Sequence, residues 1–267
     1  MIEISVVLLF ILLGCTAGFV AGLLGVGGGG IMVPILAAIF LDQGIPQNHV
    51  MHLALGTSMA SIVMTAISST MAHHKRNAVL WPIFRAVAPG VVVGTFLATF
   101  LVAIVNTMFL ALFFSAFMAL VAFQLFWGLK PDNTRPLLSH WVHSLVGTII
   151  GAVSALVSIG GGSMTVPYLA WQNVPIARAI ATSAAIGLPI ALAGTLGFII
   201  NGYGINITNE ITGFIYWPAV LIISIGSFLF APIGAKLAHT LPVPVLKKVF
   251  ACLVLFLSIR MLYTVII

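Results

Sequence analysis

Two glycine clusters carry the groups in this chain best suited to binding an ion without a charged side chain. The first is Gly25-Val26-Gly27-Gly28-Gly29-Gly30 and the second is Ser158-Ile159-Gly160-Gly161-Gly162-Ser163. Each lies inside a long apolar stretch and precedes a Val-Pro pair, at 33–34 and 166–167. A glycine run lets backbone approach a ligand closely and lets a helix begin with its amides uncovered. Such a helix N-terminus carries partial positive charge and suits an anion. Gly27, Gly28, Gly29, Gly30, Gly160, Gly161, Gly162 and Ser163 are therefore read as substrate-binding. The other reading of the same glycines is tight packing of helices by small residues. Thr57, Ser58, Thr182 and Ser183 add hydroxyls just inside later apolar segments. They either donate to the ligand or bond the carbonyl of the preceding turn. His52, Arg85 and Arg178 lie near segment ends. There they either attract and gate an anion or sit at the membrane surface, the arginines snorkelling.

What is missing narrows the chemistry. Gly25, Gly27 and Gly30 match Gly-x-Gly-x-x-Gly, but that fingerprint needs a strand, a helix and an acidic residue in a soluble α/β unit. Glu3, Asp42, Asp132 and Glu210 are the chain's carboxylate residues, all near segment ends or in loops, so a buried proton relay has no carboxylate. No His-Glu-x-x-His, Gly-x-Ser-x-Gly or Walker sequence occurs, which weighs against an intramembrane hydrolase or an ATP-driven pump. Cys15 and Cys252 fall in apolar stretches and read as small buried residues rather than a disulfide. No metal and no cofactor are expected, and nucleic acid is not an expected partner. The expected partners are a small anion and the lipid bilayer, with assembly into a homo-oligomer left open.

The elements that hold these residues are membrane segments. The chain is 61% hydrophobic and 5% charged, whereas soluble chains carry about 25% charged residues. With so few charges, their placement matters more than the net +6. Met1-Ile2-Glu3-Ile4 has no basic n-region and reads as the start of a first segment rather than a cleaved signal. The apolar stretches are 4–24 and 31–41, then 52–72, 78–102 and 106–127; after a polar linker come 141–158 and 163–173, then 178–200, 213–238 and 244–267. No charge lies between Glu3 and Asp42. One helix over that span would be about 58 Å long, against a hydrocarbon core of roughly 30 Å. It must bend, and the glycines are where bending costs least. Broken backbone inside lipid requires protein or a water-filled cavity around it.

The halves repeat. Residues 18–36 align without gaps to 151–169 with nine of 19 pairs identical, among them Gly27/Gly160, Gly28/Gly161, Gly29/Gly162 and Pro34/Pro167. Thr57-Ser58 matches Thr182-Ser183, and Trp81-Pro82 matches Trp217-Pro218. The reading is residues 1–127 as a first repeat, 128–140 as a cytoplasmic linker and 141–267 as a second repeat. Lys75, Arg76, Lys130, Arg135, Arg178, Lys236, Lys247 and Lys248 can all face the cytoplasm, leaving Arg260 as the exception, if the second repeat is inverted. The expected fold is an all-α polytopic membrane protein of two inverted-topology repeats. Each would be a glycine-broken hairpin plus three transmembrane helices, with both termini outside. Loop 201–212, with Glu210, would lie outside, and His73-His74-Lys75-Arg76 would mark the inner surface.

The run from Gly22 through Gly30 to Val33-Pro34, its copy ending Gly160-Gly-Gly-Ser-Met-Thr-Val-Pro167, and Ala181-Thr-Ser-Ala184 resemble the TauE/SafE sulfite exporter family over nearly the whole chain. The resemblance implies transport of sulfur-containing anions such as sulfite, sulfoacetate or related sulfonates, often as efflux; the expected membrane is the bacterial inner membrane. Ser163 replaces the fourth glycine in the second motif, which makes the two half-sites unequal and offers one a hydroxyl. A passive anion channel of the same fold, and a membrane scaffold using the small residues only for packing, stand as the alternatives.

Overall fold

A computed structural model describes residues 3–25, 27–127, 139–205, 208–238 and 243–266. The described residues form ten helices and one short hairpin: α1 (Ile4–Leu24), α2 (Gly29–Asp42), α3 (Gln47–His74), α4 (Trp81–Ile104), α5 (Thr107–Trp127), α6 (His140–Val157), α7 (Gly162–Ala170), α8 (Ile176–Asn201), β1 (Ile211–Thr212), β2 (Ile215–Tyr216), α9 (Trp217–Leu237) and α10 (Val243–Ile266). Most of the expected linker, 128–138 with Lys130 and Arg135, lies outside the described residues, as do 239–242. The protein is an all-α integral membrane protein. Among the described residues seven helices (α1, α3, α4, α5, α6, α8 and α9) are long and apolar enough to cross a bilayer. Large apolar side chains such as Leu12, Leu97, Leu120, Leu196, Leu221 and Phe256 are exposed around the bundle, as a lipid-facing surface requires.

The sequence dictates where helices start and stop. Pro82 and Pro218 sit in the first turns of α4 and α9, and Pro46 and Pro175 immediately precede α3 and α8. A missing amide costs nothing there because first-turn amides have no intrahelical partner. Pro34 and Pro167 lie inside the short helices α2 and α7.

Small residues pack these helices and fix their directions. Gly14 meets Ile223, Gly18 meets Ser227 and Gly22 meets Ala231, so α1 and α9 run parallel. Gly90 meets Ser144 and Gly94 meets Thr148, so α4 and α6 run parallel too. Without a hydrophobic drive between helices in lipid, such close backbone approach is what holds pairs together. Contacts from Thr57 to Tyr216 and Ser68 to Phe228 set α3 along α9. Contacts from Thr182 to Leu80 and Asn201 to Thr99 set α8 along α4. Met59 meets Gly194 and Thr70 meets Ala184, so α3 and α8 run antiparallel at the centre. It follows that α1, α3 and α9 point one way and α4, α6 and α8 the other. The main packings, α1 on α9, α4 on α6, α3 on α8 and α5 on α10, each join one half of the chain to the other. The halves interlock rather than folding side by side.

These directions gather Lys75, Arg76, Arg85, Arg178 and Lys236 at one end of the bundle, and Glu3, Asp42 and Glu210 at the other; Arg260 is the cation near the acidic end. The first arm of the broken hairpin, α1, is a 21-residue helix lying along α9, about 31 Å long, and so long enough to span, as its apolar length implies. Residues 211–216 and His73 depart from what the sequence leads one to expect. Residues 211–216, expected as loop and helix start, instead form the β1–β2 hairpin. Gly213 turns with φ 62, and Phe214, Ile215 and Tyr216 are buried. The Tyr216 phenol is pushed up to about 12 by burial first and then by the Glu210 carboxylate it bonds. His73, expected at the surface, is fully buried with Nε2 3.3 Å from the Gly22 carbonyl.

Candidate functional site

The two glycine clusters meet at the middle of the bundle. Gly25, Gly27 and Gly28 take left-handed backbone, with φ of 70, 82 and 80, and Ser158 and Gly161 do so in the second half, with φ of 48 and 76. These residues reverse the chain between α1 and α2 and between α6 and α7. A Cβ on Gly27 would lie 2.6 Å from the Gly160 nitrogen, and one on Gly29 would overlap the Ser158 carbonyl. Only glycine lets the two tips touch backbone to backbone. Ile62 of α3 lies against both tips, and Gly187 of α8 backs Gly160.

Beside this contact lies a narrow cavity with room for roughly one water. Its floor is Gly27 and Gly160. One wall is the stripe Ile62, Thr65, Ala66 and Ser69 of α3, whose i, i+3, i+4, i+7 spacing places them on one helix face. The others are Ala184 and Gly187 of α8 and Ala21 and Gly25 at the end of α1. Among the described residues no charged side chain lines it. Thr65 Oγ1 is engaged, 2.8 Å from Ser227 Oγ. Ser69 is 2% exposed and its hydroxyl has no hydrogen-bond partner among the described residues. Thr165, in the first turn of α7, is fully buried with its hydroxyl equally unpartnered among the described residues. In close-packed interiors nearly all buried polar groups are paired, so two such hydroxyls near the tips call for an explanation.

The cavity is one-sided. Taking Thr57 with Thr182, the repeat pairs Ser69 with Gly194 and Ala184 with Met59. On the side towards the basic end the small residues Ser69 and Ala184 leave space. On the related side Met59 is fully buried and its Cγ would lie 2.7 Å from a Cβ on Gly194, so its side chain fills the gap.

The residues singled out by sequence divide into those at the tips and those that hold the frame. Gly27 and Gly160 line the cavity, while Gly28 and Gly161 cap α2 and α7. Gly29 lies on Ser158, and Gly30 faces Met118 of α5 rather than the cavity. Gly162 and Ser163 open α7, and their amides have no backbone acceptor outside the helix among the described residues. Thr57 Oγ1 accepts the Tyr216 amide at 3.0 Å, and Thr182 Oγ1 accepts the Leu80 amide at 3.0 Å while donating to the Arg178 carbonyl at 2.8 Å. Each therefore holds the residue before a Trp-Pro helix start in the other half. Ser183 donates to the Gly25 carbonyl at 3.1 Å, fastening the first tip. The Ser58 hydroxyl faces Met32 Sδ at 3.8 Å. His52 is buried, with Nε2 3.1 and 3.0 Å from the Val102 and Val105 carbonyls and its ring stacked on Phe214. Because carbonyls only accept, Nε2 carries the proton, and His52 clasps the end of α4. Arg85 and Arg178 are exposed near the starts of α4 and α8 and line no part of the cavity. Among the described residues no group of His, Cys, Asp or Glu could hold a metal.

Ser69, Thr65 and Thr165 do not stand out in the sequence. Their signal is the small and hydroxyl-bearing stripe along one face of α3. Comparison of the repeats hides it, because Ser69 has glycine as its counterpart.

Comparison with known proteins adds a consistent likeness. A family model described as Sulfite exporter TauE/SafE matches residues 10–261. A "Probable membrane transporter protein" of Haemophilus influenzae is 35% identical over 257 residues, covering 96% of this chain and 97% of that protein. Similarly described proteins from Methanocaldococcus jannaschii and Bacillus subtilis are 28% and 25% identical, covering 86% and 90% of this chain and 85% and 94% of their own. No solved structure matches.

Proposed function

The chain belongs to the sulfite exporter TauE/SafE family, and from that premise we propose that it exports small sulfur-containing oxyanions: sulfite, sulfoacetate or another sulfonate. The observation that carries the reading is the meeting of two glycine tips at a cavity free of charged side chains. A sulfite or sulfonate is a compact group with several acceptor oxygens. First-turn amides of α2 and α7 replace part of its hydration, and their aligned dipoles favour the negative charge. With no lysine or arginine at the tips, binding stays weak enough for release.

Transport proceeds by alternating access. Counterpart helices run in opposite directions, which supports an inverted repeat whose two arrangements exchange the open side. The small cavity supports a carrier that must change shape over a pore that stands open. With the basic end in the cytoplasm, both termini lie outside, and the membrane is the bacterial inner membrane. Moving one negative charge outward is then favoured by about 2.3 kcal/mol per 100 mV, so export needs no coupling ion. The protein is a permease and not an enzyme; its hydroxyls hold backbone and ligand.

The test is flux through purified protein in liposomes with a set potential, with sulfite, thiosulfate, sulfoacetate, taurine and chloride compared. Saturable movement of a sulfur oxyanion with chloride inert is the expected result. Rapid, non-saturating chloride flux would mark a channel, and no flux of any of them would remove the transporter reading.

A further inference from the structure

We propose that the Ser69 hydroxyl is a ligand donor for the transported oxyanion, placed between the basic end of the bundle and the glycine tips; the assignment rests on the transporter reading above. Four observations converge on it. Ser69 is only 2% exposed, and its Oγ has no partner among the described residues. It lines the cavity that reaches both tips. It shares a helix face with Thr65 and Ile62, so the three form a file along α3 from Ser69 to the tips, about 10 Å long. It lies six residues before Lys75, about 9 Å from the basic end.

The chemistry follows from what surrounds it. A buried hydroxyl left unpaired is unfavourable unless a ligand or water answers it. The cavity holds no carboxylate to attract a cation, and an oxyanion offers acceptors to an O–H donor. The neighbouring Thr65 hydroxyl is already bonded to Ser227, which leaves Ser69 as the donor free on that wall. The repeat partner of Ser69 is Gly194, covered by Met59, so the donor belongs to one side of the transport path and not to both. An anion entering from the basic end meets Ser69 before it meets the amides of α2 and α7.

The test is sulfite titration of purified protein in nanodiscs by calorimetry, with unfolding midpoints measured on the ligand-free protein. The unaltered protein binds sulfite saturably. Ser69→Ala weakens binding about ten- to hundredfold, the effect of losing one charge-assisted hydrogen bond. The ligand-free midpoint of Ser69→Ala stays equal or rises, because the change removes an unpaired polar group. Ser69→Cys, similar in size but a weaker donor, falls between. Equal sulfite affinity in the unaltered protein and Ser69→Ala would overturn the assignment while leaving the transporter reading intact. A marked fall in the ligand-free midpoint of Ser69→Ala would also overturn it, by showing that the hydroxyl holds the fold. Sulfoacetate and taurine are titrated in the same way, and failure of the unaltered protein to bind sulfite or either sulfonate would overturn both readings.

Discussion

Thr57 and Thr182 answer backbone amides of opposite halves, Tyr216 and Leu80, each at 3.0 Å. Removing either hydroxyl leaves an amide unpaired, buried at Tyr216 and partly buried at Leu80, which costs about 1–3 kcal/mol where burial is complete and less where it is partial. Thr57→Val and Thr182→Val should therefore lower the unfolding midpoint in detergent, while Thr57→Ser and Thr182→Ser keep most of it. Valine variants with an unchanged midpoint and lost sulfite binding would instead place these hydroxyls on the ligand. Ile62 makes a separate prediction, since its side chain is the part of the α3 wall that lies against both tips. Ile62→Ala should widen the cavity and raise the relative uptake of bulky sulfonates over sulfite in competition assays; an unchanged preference would place the selecting contact elsewhere. At this scale the sequence is legible in part. The paired Thr-Ser marks stand out because they recur, but recurrence cannot separate a ligand donor from a frame bond made twice. Ser69 lacks a counterpart and so lacks that mark.

Among the elements, the glycine tips make the sharpest demand. Gly27 combines φ of 82 with only 2.6 Å between an added Cβ and the Gly160 nitrogen, whereas Gly160 is not among the left-handed glycines and its nearest neighbour in the same sense is Gly27 Cα at 3.1 Å. A left-handed β-carbon costs roughly 1–2 kcal/mol before any clash. Gly27→Ala should therefore reduce folded yield and flux far more than Gly160→Ala; equal effects would contradict the tip geometry. Most helix bounds are readable from apolar length and from the Pro and Gly marks: 4–24 matches α1, and 106–127 falls within a residue of α5. The start of α3 is not, because Gln47-Asn48-His49 reads as loop although Pro46 already opens the helix. The β1–β2 hairpin is hidden for the opposite reason. Phe214-Ile215-Tyr216 is as apolar as the helix after it, and two-residue strands are too short to show a period of two.

Across the whole molecule, charge and shape give the same polarity. The basic end gathers Lys75, Arg76, Arg85, Arg178 and Lys236, and the cavity leans towards that end, with Met59 closing the related space. If that end is cytoplasmic, then in protein lacking Cys15 and Cys252, Ile205→Cys should label with a membrane-impermeant maleimide from outside and Asn77→Cys only from inside. The reverse pattern would place the basic end and the Ser69 side of the cavity outside. The interlocked halves are half legible: the repeat is written in the ordered Gly, Pro and Trp-Pro marks, but that α1 packs on α9 and α4 on α6 depends on glycines meeting across the halves, which no single segment shows. The transport reading turns on an oxyanion seated in the cavity beside the two glycine tips. An anomalous-scattering map of crystals soaked with selenite, the heavier analogue of sulfite, locates that anion without reference to flux. One selenium peak bounded by Gly27, Gly160 and Ser69, competed away by sulfite, is expected. A sulfite-competed peak elsewhere in the bundle, with the cavity beside the tips empty, would refute the seat.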